Sequence, residues 1–78
     1  MSNNFKFPRA THYIIYDHPK DYPNHFVVRE FDIYPNLVVP SYHQLADSLA
    51  EARKLVPGEL VRVQPDPSDD PVIVEIWV

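Results

Sequence analysis

Alternation of apolar and polar residues marks two β-strands in the first half of the chain. The segment HYIIYD, residues 12–17, is rich in β-branched and aromatic residues, and HFVVREFDIY, residues 25–34, carries apolar side chains on both faces. Residues 17–24 contain Asp, Asn and two prolines, the composition of a loop. The pattern therefore predicts an antiparallel hairpin with a long loop, followed by a short third strand over residues 37–40.

A helical period is clearest in residues 41–57. Apolar residues recur there at steps of three and four, namely Tyr42, Leu45, Ala46, Leu49, Ala52 and Val56. Two capping boxes compete for the start of the helix, one headed by Ser41 and the other by Ser48. The pattern predicts a helix over 48–56 that begins anywhere from Ser41 to Ser48. The residues before Ser48 are alternatively a strand.

Two more strands are predicted near the end of the chain. ELVRVQ, residues 59–64, alternates, and VIVEIWV, residues 72–78, is apolar on nearly both sides, which indicates a central strand. Together the elements predict a small α+β fold: an antiparallel sheet of about four to five strands with one helix packed on one face, in the order ββ(β)αββ. Residues 12–78 form this single domain, and residues 1–11 a flexible N-terminal tail.

Composition excludes several classes of protein. The 78 residues are too few for two cores. The absence of cysteine excludes disulfides, thiolate nucleophiles and cysteine-based zinc sites, and favours a cytoplasmic location. No apolar run approaches the roughly 18 residues of a membrane span. Because Gly58 is the single glycine, a P-loop or a dinucleotide-binding GxGxxG motif is excluded.

Charge is unevenly distributed along the chain. Residues 12–78 hold all eleven acidic residues against five Lys and Arg, which leaves a net charge of −6. Nucleic-acid binding depends on Lys and Arg contacts to phosphate, so this charge argues against direct binding of DNA or RNA. A basic protein partner fits better.

The densest group of candidate chemical residues lies between the first two strands. Asp17, His18, Asp21 and His25 are suitable donors for zinc or another transition metal, and a His–Asp pair can transfer protons. However, their spacing matches no compact metal motif, and no nucleophile accompanies them. A turn accounts for these residues: Asp17 closes an Asx-turn, His18 is held extended before a proline, and Tyr22 covers the core. No metal, cofactor or catalytic residue is therefore predicted, and a metal-dependent or acid–base enzyme centred on Asp17–His25 is an alternative.

Two other features point to an interaction surface. The stiff acidic loop with Asp66, Asp69 and Asp70 has prolines where a calcium loop needs glycine, but it can dock a basic partner at little entropic cost. Trp77, the single tryptophan, is most simply a core residue. Alternatively, if the helix covers one face only, Ile73 and Trp77 lie on the open face, which then binds a partner or a second copy of the chain. The predicted interaction surface consists of Asp17, His18, Asp21, Tyr22, Asp66, Asp69, Asp70, Ile73 and Trp77.

Three segments carry a resemblance to a known family. YDHPKDYPNHFVVREF, DSLAEARKLVPGELVRV and PSDDPVIVEIWV resemble short, uncharacterised bacterial and prophage-type proteins with a YDHPxDxPxxFVxR opening and a DDPVIVExW ending. The resemblance covers roughly residues 13–78, and the tail Met1–Thr11 departs from it. It implies a helix that starts near Ser48, with residues 37–46 partly extended, and it implies no activity, cofactor or catalytic residue.

Two functional hypotheses follow for a chain of this kind. The first is a non-enzymatic domain that works by protein–protein contact. The alternative is a phage or mobile-element accessory inhibitor, whose acidic surface mimics nucleic acid against a basic partner. The small size and the negative charge motivate the alternative, which requires carboxylates clustered on one face.

Overall fold

A computed structural model describes residues 7–78, so residues 1–6 of the predicted tail lie outside the described residues. The elements are β1 (Ala10–Asp17), β2 (Phe26–Tyr34), β3 (Leu37–Ala46), α1 (Leu49–Lys54), β4 (Arg62–Val63) and β5 (Ile73–Trp77). The strands form one antiparallel sheet in the order β3-β2-β1-β5-β4. The predicted α+β fold with one helix is confirmed.

β1 begins earlier than predicted. It pairs with β2 from Ala10 opposite Ile33 to Asp17 opposite Phe26, and the Arg9 N–H donates to the Ile33 carbonyl at 2.6 Å. The structured part of the chain therefore starts at least two residues before position 12. Backbone pairing with β2 extends the strand through residues whose side chains carry no apolar signal.

Of the two predicted capping boxes, the one headed by Ser48 starts the helix. Residues 41–46 belong to β3, and the Ser48 hydroxyl accepts a hydrogen bond from the Glu51 N–H at 3.1 Å. In return, the Glu51 carboxylate accepts from the Asp47 N–H at 3.1 Å. The helical start at Ser41 was wrong, because those residues satisfy their backbone groups by pairing with β2.

The hydrophobic core lies between the sheet and α1. Its buried residues are Tyr13, Ile15, Val28, Ala46 and Ala52, and the segment after the helix adds Leu55, Val56 and Leu60. The helix packs over β2 and β3. We call this side of the sheet the helix side and the opposite side the open face.

Trp77 lies on the helix side. It pairs with Tyr13, packs against the core, and donates from its indole Nε1 to Glu75 at 3.1 Å. The interpretation of Trp77 as a core residue is therefore confirmed, and the alternative, a place on the open face, is wrong. A register shift between Ile15 and Tyr16 separates it from Ile73, which pairs with Tyr16. Glu75 and Trp77 lie two residues apart in β5 and so share a side of the sheet, but alternation by itself does not say which side the helix covers.

Candidate functional site

Four strands meet at one end of the sheet, which we call the loop end. Asp17 at the end of β1 pairs with Phe26 at the start of β2, and Phe26 pairs with Ala46 at the end of β3. The start of β5 is adjacent, since the Asp17 N–H donates to the Val72 carbonyl at 2.7 Å. The loops 18–25 and 64–72, far apart in sequence, therefore become neighbours here.

A shallow concavity of about 310 Å³ lies between these two loops, on the side of the sheet opposite the helix. Its lining residues are Tyr16, Pro19, Lys20, Asp21, Val27, Arg29, Asp70 and Val72. Val27 is fully buried beneath the loops. The lining thus combines apolar side chains with charged ones, and it contains two residues of the predicted interaction surface, Asp21 and Asp70.

Arg29 determines the electrostatics of the concavity. One of its terminal nitrogens lies 3.6 Å from an Asp21 carboxylate oxygen, and its guanidinium carbon lies 5.5 Å from the centre of the Tyr16 ring. Burial raises the pKa of the Tyr16 phenol, against the opposing effect of Arg29. Tyr16 therefore presents a neutral hydroxyl, which suits a binding surface.

The residues proposed as metal ligands separate in the structure. His18 Nδ1 pairs with the Asp17 carboxylate at 2.5 Å, Asp21 faces Arg29, and His25 lies 3.8 Å from Asp47. Among residues 7–78, no group of three or more His, Asp or Glu side chains is arranged to hold a metal ion. The alternative of a metal site in this loop therefore has no support from the geometry of the described residues.

His18 adopts a backbone conformation that the sequence did not suggest. Its φ is 50°, in the left-handed region, whereas the following proline favours an extended residue. Its N–H donates to the His25 carbonyl at 3.1 Å, and its ring meets Phe26 edge-on at 5.0 Å. The contacts that close the loop outweigh the preference of His18, as the residue before a proline, for extended backbone.

A contact between the loop and the edge strand was not foreseen. The Tyr22 hydroxyl lies 2.8 Å from His43 Nε2, and the two rings are 5.2 Å apart. His43 lies on the edge strand β3. No local pattern could have identified a contact between residues so far apart in the chain.

The acidic loop is held by its own carboxylates. Asp66 accepts from the Ser68 N–H at 2.9 Å and from its hydroxyl at 2.7 Å, and these bonds lower the pKa of Asp66. Asp69 accepts from the Asp66 N–H at 3.0 Å, and Asp70 accepts from the Val72 N–H at 3.1 Å. Each of the three carboxylates thus already accepts at least one hydrogen bond within the loop.

A second polar cluster lies on the helix side and was missed. The Tyr13 hydroxyl donates to Glu30 at 2.7 Å, and a β-bulge sets Ser41 and Tyr42 opposite Glu30. Burial raises the pKa of Glu30, and the neighbouring Asp32 carboxylate raises it further. The available signal was that Glu30 and Asp32 lie two residues apart in a mostly apolar strand, and so on one face of it.

Comparisons of the chain with protein-family models, curated proteins and solved structures find no match. The resemblance to prophage-type proteins therefore stays a prediction. The one helix among residues 7–78 is too short to cross a membrane.

Proposed function

We propose that the protein is a non-enzymatic interaction domain that binds a basic protein partner at the loop end of its sheet. The observation that supports this proposal is the meeting of loops 18–25 and 64–72 around one concavity. Asp21 and Asp70 both line it, beside the apolar side chains of Val27 and Val72.

This combination suits the side chain of a partner's lysine or arginine. Such side chains lay their aliphatic stems along apolar surface and keep the charged head at the rim. The Tyr16 ring and Val72 offer the apolar contact. The Asp70 carboxylate accepts a charge-assisted hydrogen bond from the partner, and Asp21 does so by exchanging its exposed pairing with Arg29, against the repulsion of Lys20 and Arg29 in the same lining. Because prolines and internal hydrogen bonds already hold the loops, binding loses little conformational entropy.

The acidic residues at the loop end also favour a basic partner. Six of the eleven acidic residues lie in the connections there or at the adjoining strand end: Asp17, Asp21, Asp47, Asp66, Asp69 and Asp70. A concentration of one sign of charge accelerates encounter with a surface of the opposite sign. Binding is therefore expected to weaken as salt rises.

The test uses a partner captured from the native host, identified by mass spectrometry and then produced in pure form. Asp21→Asn with Asp70→Asn removes two charges while keeping one acceptor oxygen on each side chain. With each exposed ion pair contributing up to about 1 kcal/mol, the Kd is expected to rise about tenfold. Glu59→Gln is the control, because Glu59 is exposed and lies away from the concavity. Equal affinity of the double variant and the wild type refutes the proposal.

The concentration of carboxylates at one end also favours the second hypothesis, an inhibitor that mimics nucleic acid. In that case the partner is itself a DNA- or RNA-binding protein, and the carboxylates replace phosphates. Duplex DNA is then expected to displace the domain from its partner in a competition titration. Failure of DNA to compete excludes this second hypothesis and leaves the first unaffected.

A further inference from the structure

We propose that the concavity at the loop end binds a pair of opposite charges, so that the partner contributes an acidic residue next to its lysine or arginine. This inference rests on the proposed function and specifies the contact segment of the same basic partner. Its basis is the lining of the concavity, in which two cationic side chains lie beside two anionic ones.

The charges in the lining sum to zero. Lys20 and Arg29 contribute two positive charges, and Asp21 and Asp70 contribute two negative ones. The other carboxylates of the acidic loop do not line the concavity, so they act on a ligand there only at longer range. A ligand group with positive charge alone is therefore attracted by two residues of the lining and repelled by the other two.

The four groups do not satisfy one another. Among the described residues, the ion pair within the lining joins Arg29 to Asp21 at 3.6 Å, which is longer than a hydrogen bond, and the Asp21 side chain is 58% exposed. An exposed pair of this kind contributes little to stability and exchanges readily. Lys20 and Asp70 form no ion pair within residues 7–78, so both are available to a ligand.

The charged groups are close enough to act on one ligand. Burial raises the pKa of the Tyr16 phenol, Arg29 lowers it, and Asp21 and Asp70 raise it, so these three charges lie around one hydroxyl. The guanidinium carbon of Arg29 lies 5.5 Å from the centre of the Tyr16 ring. Lys20 directly precedes Asp21 in the loop, and both line the concavity.

Binding of a segment with both charges replaces the weak internal pair with intermolecular ones. When a partner's cation pairs with Asp21, the Arg29 guanidinium loses its own partner. A partner's carboxylate beside that cation accepts hydrogen bonds from Arg29 or Lys20 and removes the repulsion. A cavity of about 310 Å³ is roughly 8 Å across, and residues i and i+2 of an extended segment are about 7 Å apart, so two such side chains fit together.

The sign of the effect of removing the two cations tests this inference. Lys20→Gln and Arg29→Gln are titrated calorimetrically, at fixed salt, with the purified partner that was identified by capture. Each is expected to raise the Kd about three- to fivefold, the contribution of one exposed ion pair. A partner segment with positive charge alone predicts a lower Kd, because a repulsive charge is removed and Arg29→Gln also frees Asp21. An unchanged or lower Kd overturns the inference.

Lys54→Gln is the matched control. It removes one positive charge from the exposed surface of α1, on the other side of the sheet, and so reproduces the change in net charge. Its Kd is expected to stay within about twofold of the wild-type value. An equal rise for Lys54→Gln overturns the inference, since the effect then comes from net charge. Circular dichroism checks that each variant is folded, and Lys20 is exposed, so Lys20→Gln gives the answer even if Arg29→Gln disturbs the fold.

The results separate this inference from the proposed function. If the double asparagine variant of Asp21 and Asp70 weakens binding while the two glutamine variants tighten it, the concavity binds a purely basic segment, and only the inference fails. If neither pair of charges affects the Kd, both fail.

Charge reversal on both proteins gives a direct readout of the paired carboxylate. Lys20→Glu is combined in turn with a lysine at each acidic position of the partner near its basic contact. Recovery of affinity in one combination identifies the carboxylate that meets Lys20, and recovery in none overturns the inference.

Discussion

Replacing Glu75 with glutamine is expected to loosen the attachment of α1 to the sheet while keeping the shape of the side chain. The Glu75 carboxylate is buried beneath the helix, with the residue only 5% exposed. It accepts from Arg53 Nε at 2.9 Å and from an Arg53 terminal nitrogen, from Arg62 at 3.3 Å, and from the Trp77 indole at 3.1 Å. These bonds connect the helix, β4 and β5 through one side chain.

The expected loss follows from these contacts. A hydrogen bond to a charged group contributes about 1.5–3 kcal/mol to stability. Glutamine keeps one acceptor, and the side chains of Arg53 and Arg62 are 45% and 47% exposed, so water compensates part of the loss. The free energy of unfolding is therefore expected to fall by about 2 kcal/mol, which lowers the Tm by roughly 8–16 °C in a domain of this size.

The effect depends on pH in a defined direction. Hydrogen bonds from Arg53 hold the pKa of Glu75 below its ordinary value of 4.5. Because the folded state has the lower pKa, the ionised carboxylate stabilises the fold above about pH 4.5, and this contribution is lost as the pH falls through the folded pKa. The difference between the variant and the wild type should therefore narrow in acid.

Urea denaturation followed by circular dichroism measures this difference at pH 7 and at pH 3. Glu59→Gln removes the charge of an exposed carboxylate and serves as the matched control. A difference below about 0.5 kcal/mol at pH 7, the range of ordinary surface substitutions, refutes the reasoning. A difference that persists unchanged at pH 3 refutes the electrostatic part of it.

Three further outcomes are expected. Ser48→Ala removes the helix cap and should lower the free energy of unfolding by about 1 kcal/mol in urea, with Ser48→Asp restoring it; an unchanged Ser48→Ala midpoint contradicts the cap. Burial and Asp32 raise the pKa of Glu30, so its contribution to stability is present below about pH 4.5 and lost as the pH rises through the folded pKa. Glu30→Gln should therefore be at least as stable as the wild type at pH 7, and a loss larger at pH 7 than at pH 4 contradicts this. Tyr22→Phe removes the contact with His43 and should speed amide hydrogen exchange in residues 18–25 with little change in global stability, whereas unchanged exchange contradicts a tethering role.

Local patterns predicted most of the elements. Alternation identified β1, β2 and β5, and the capping boxes limited the start of α1 to the range from Ser41 to Ser48, within which the structure places it at Ser48. The apolar residues spaced three and four apart over 41–47 favoured a helix, but these residues form a strand. The same spacing is compatible with an edge strand that contains a bulge. β4 is shorter than predicted and consists of Arg62 and Val63, which pair with β5, while Val61 exchanges two backbone hydrogen bonds with Val78 just after β5.

Two residues of the candidate site were predicted, Asp21 and Asp70, but its arrangement was not. Nothing in the sequence indicates that their loops meet around one concavity. The polar cluster under the helix was not predicted either, because Glu75 is held there by arginines from two other elements, Arg53 and Arg62. Such groupings join residues distant in the chain, and local spacing contains no information about them.

The order of apolar and polar residues by itself determined that this chain folds as a small α+β domain, because strand and helix periods are local properties of the backbone. The serine cap and the proline-rich loops are local in the same sense. Only the tertiary structure decided which side of the sheet the helix covers, and therefore which apolar residues are core and which form the open face. Strand pairing makes that choice, since one register assigns every side chain in the sheet to its face at once.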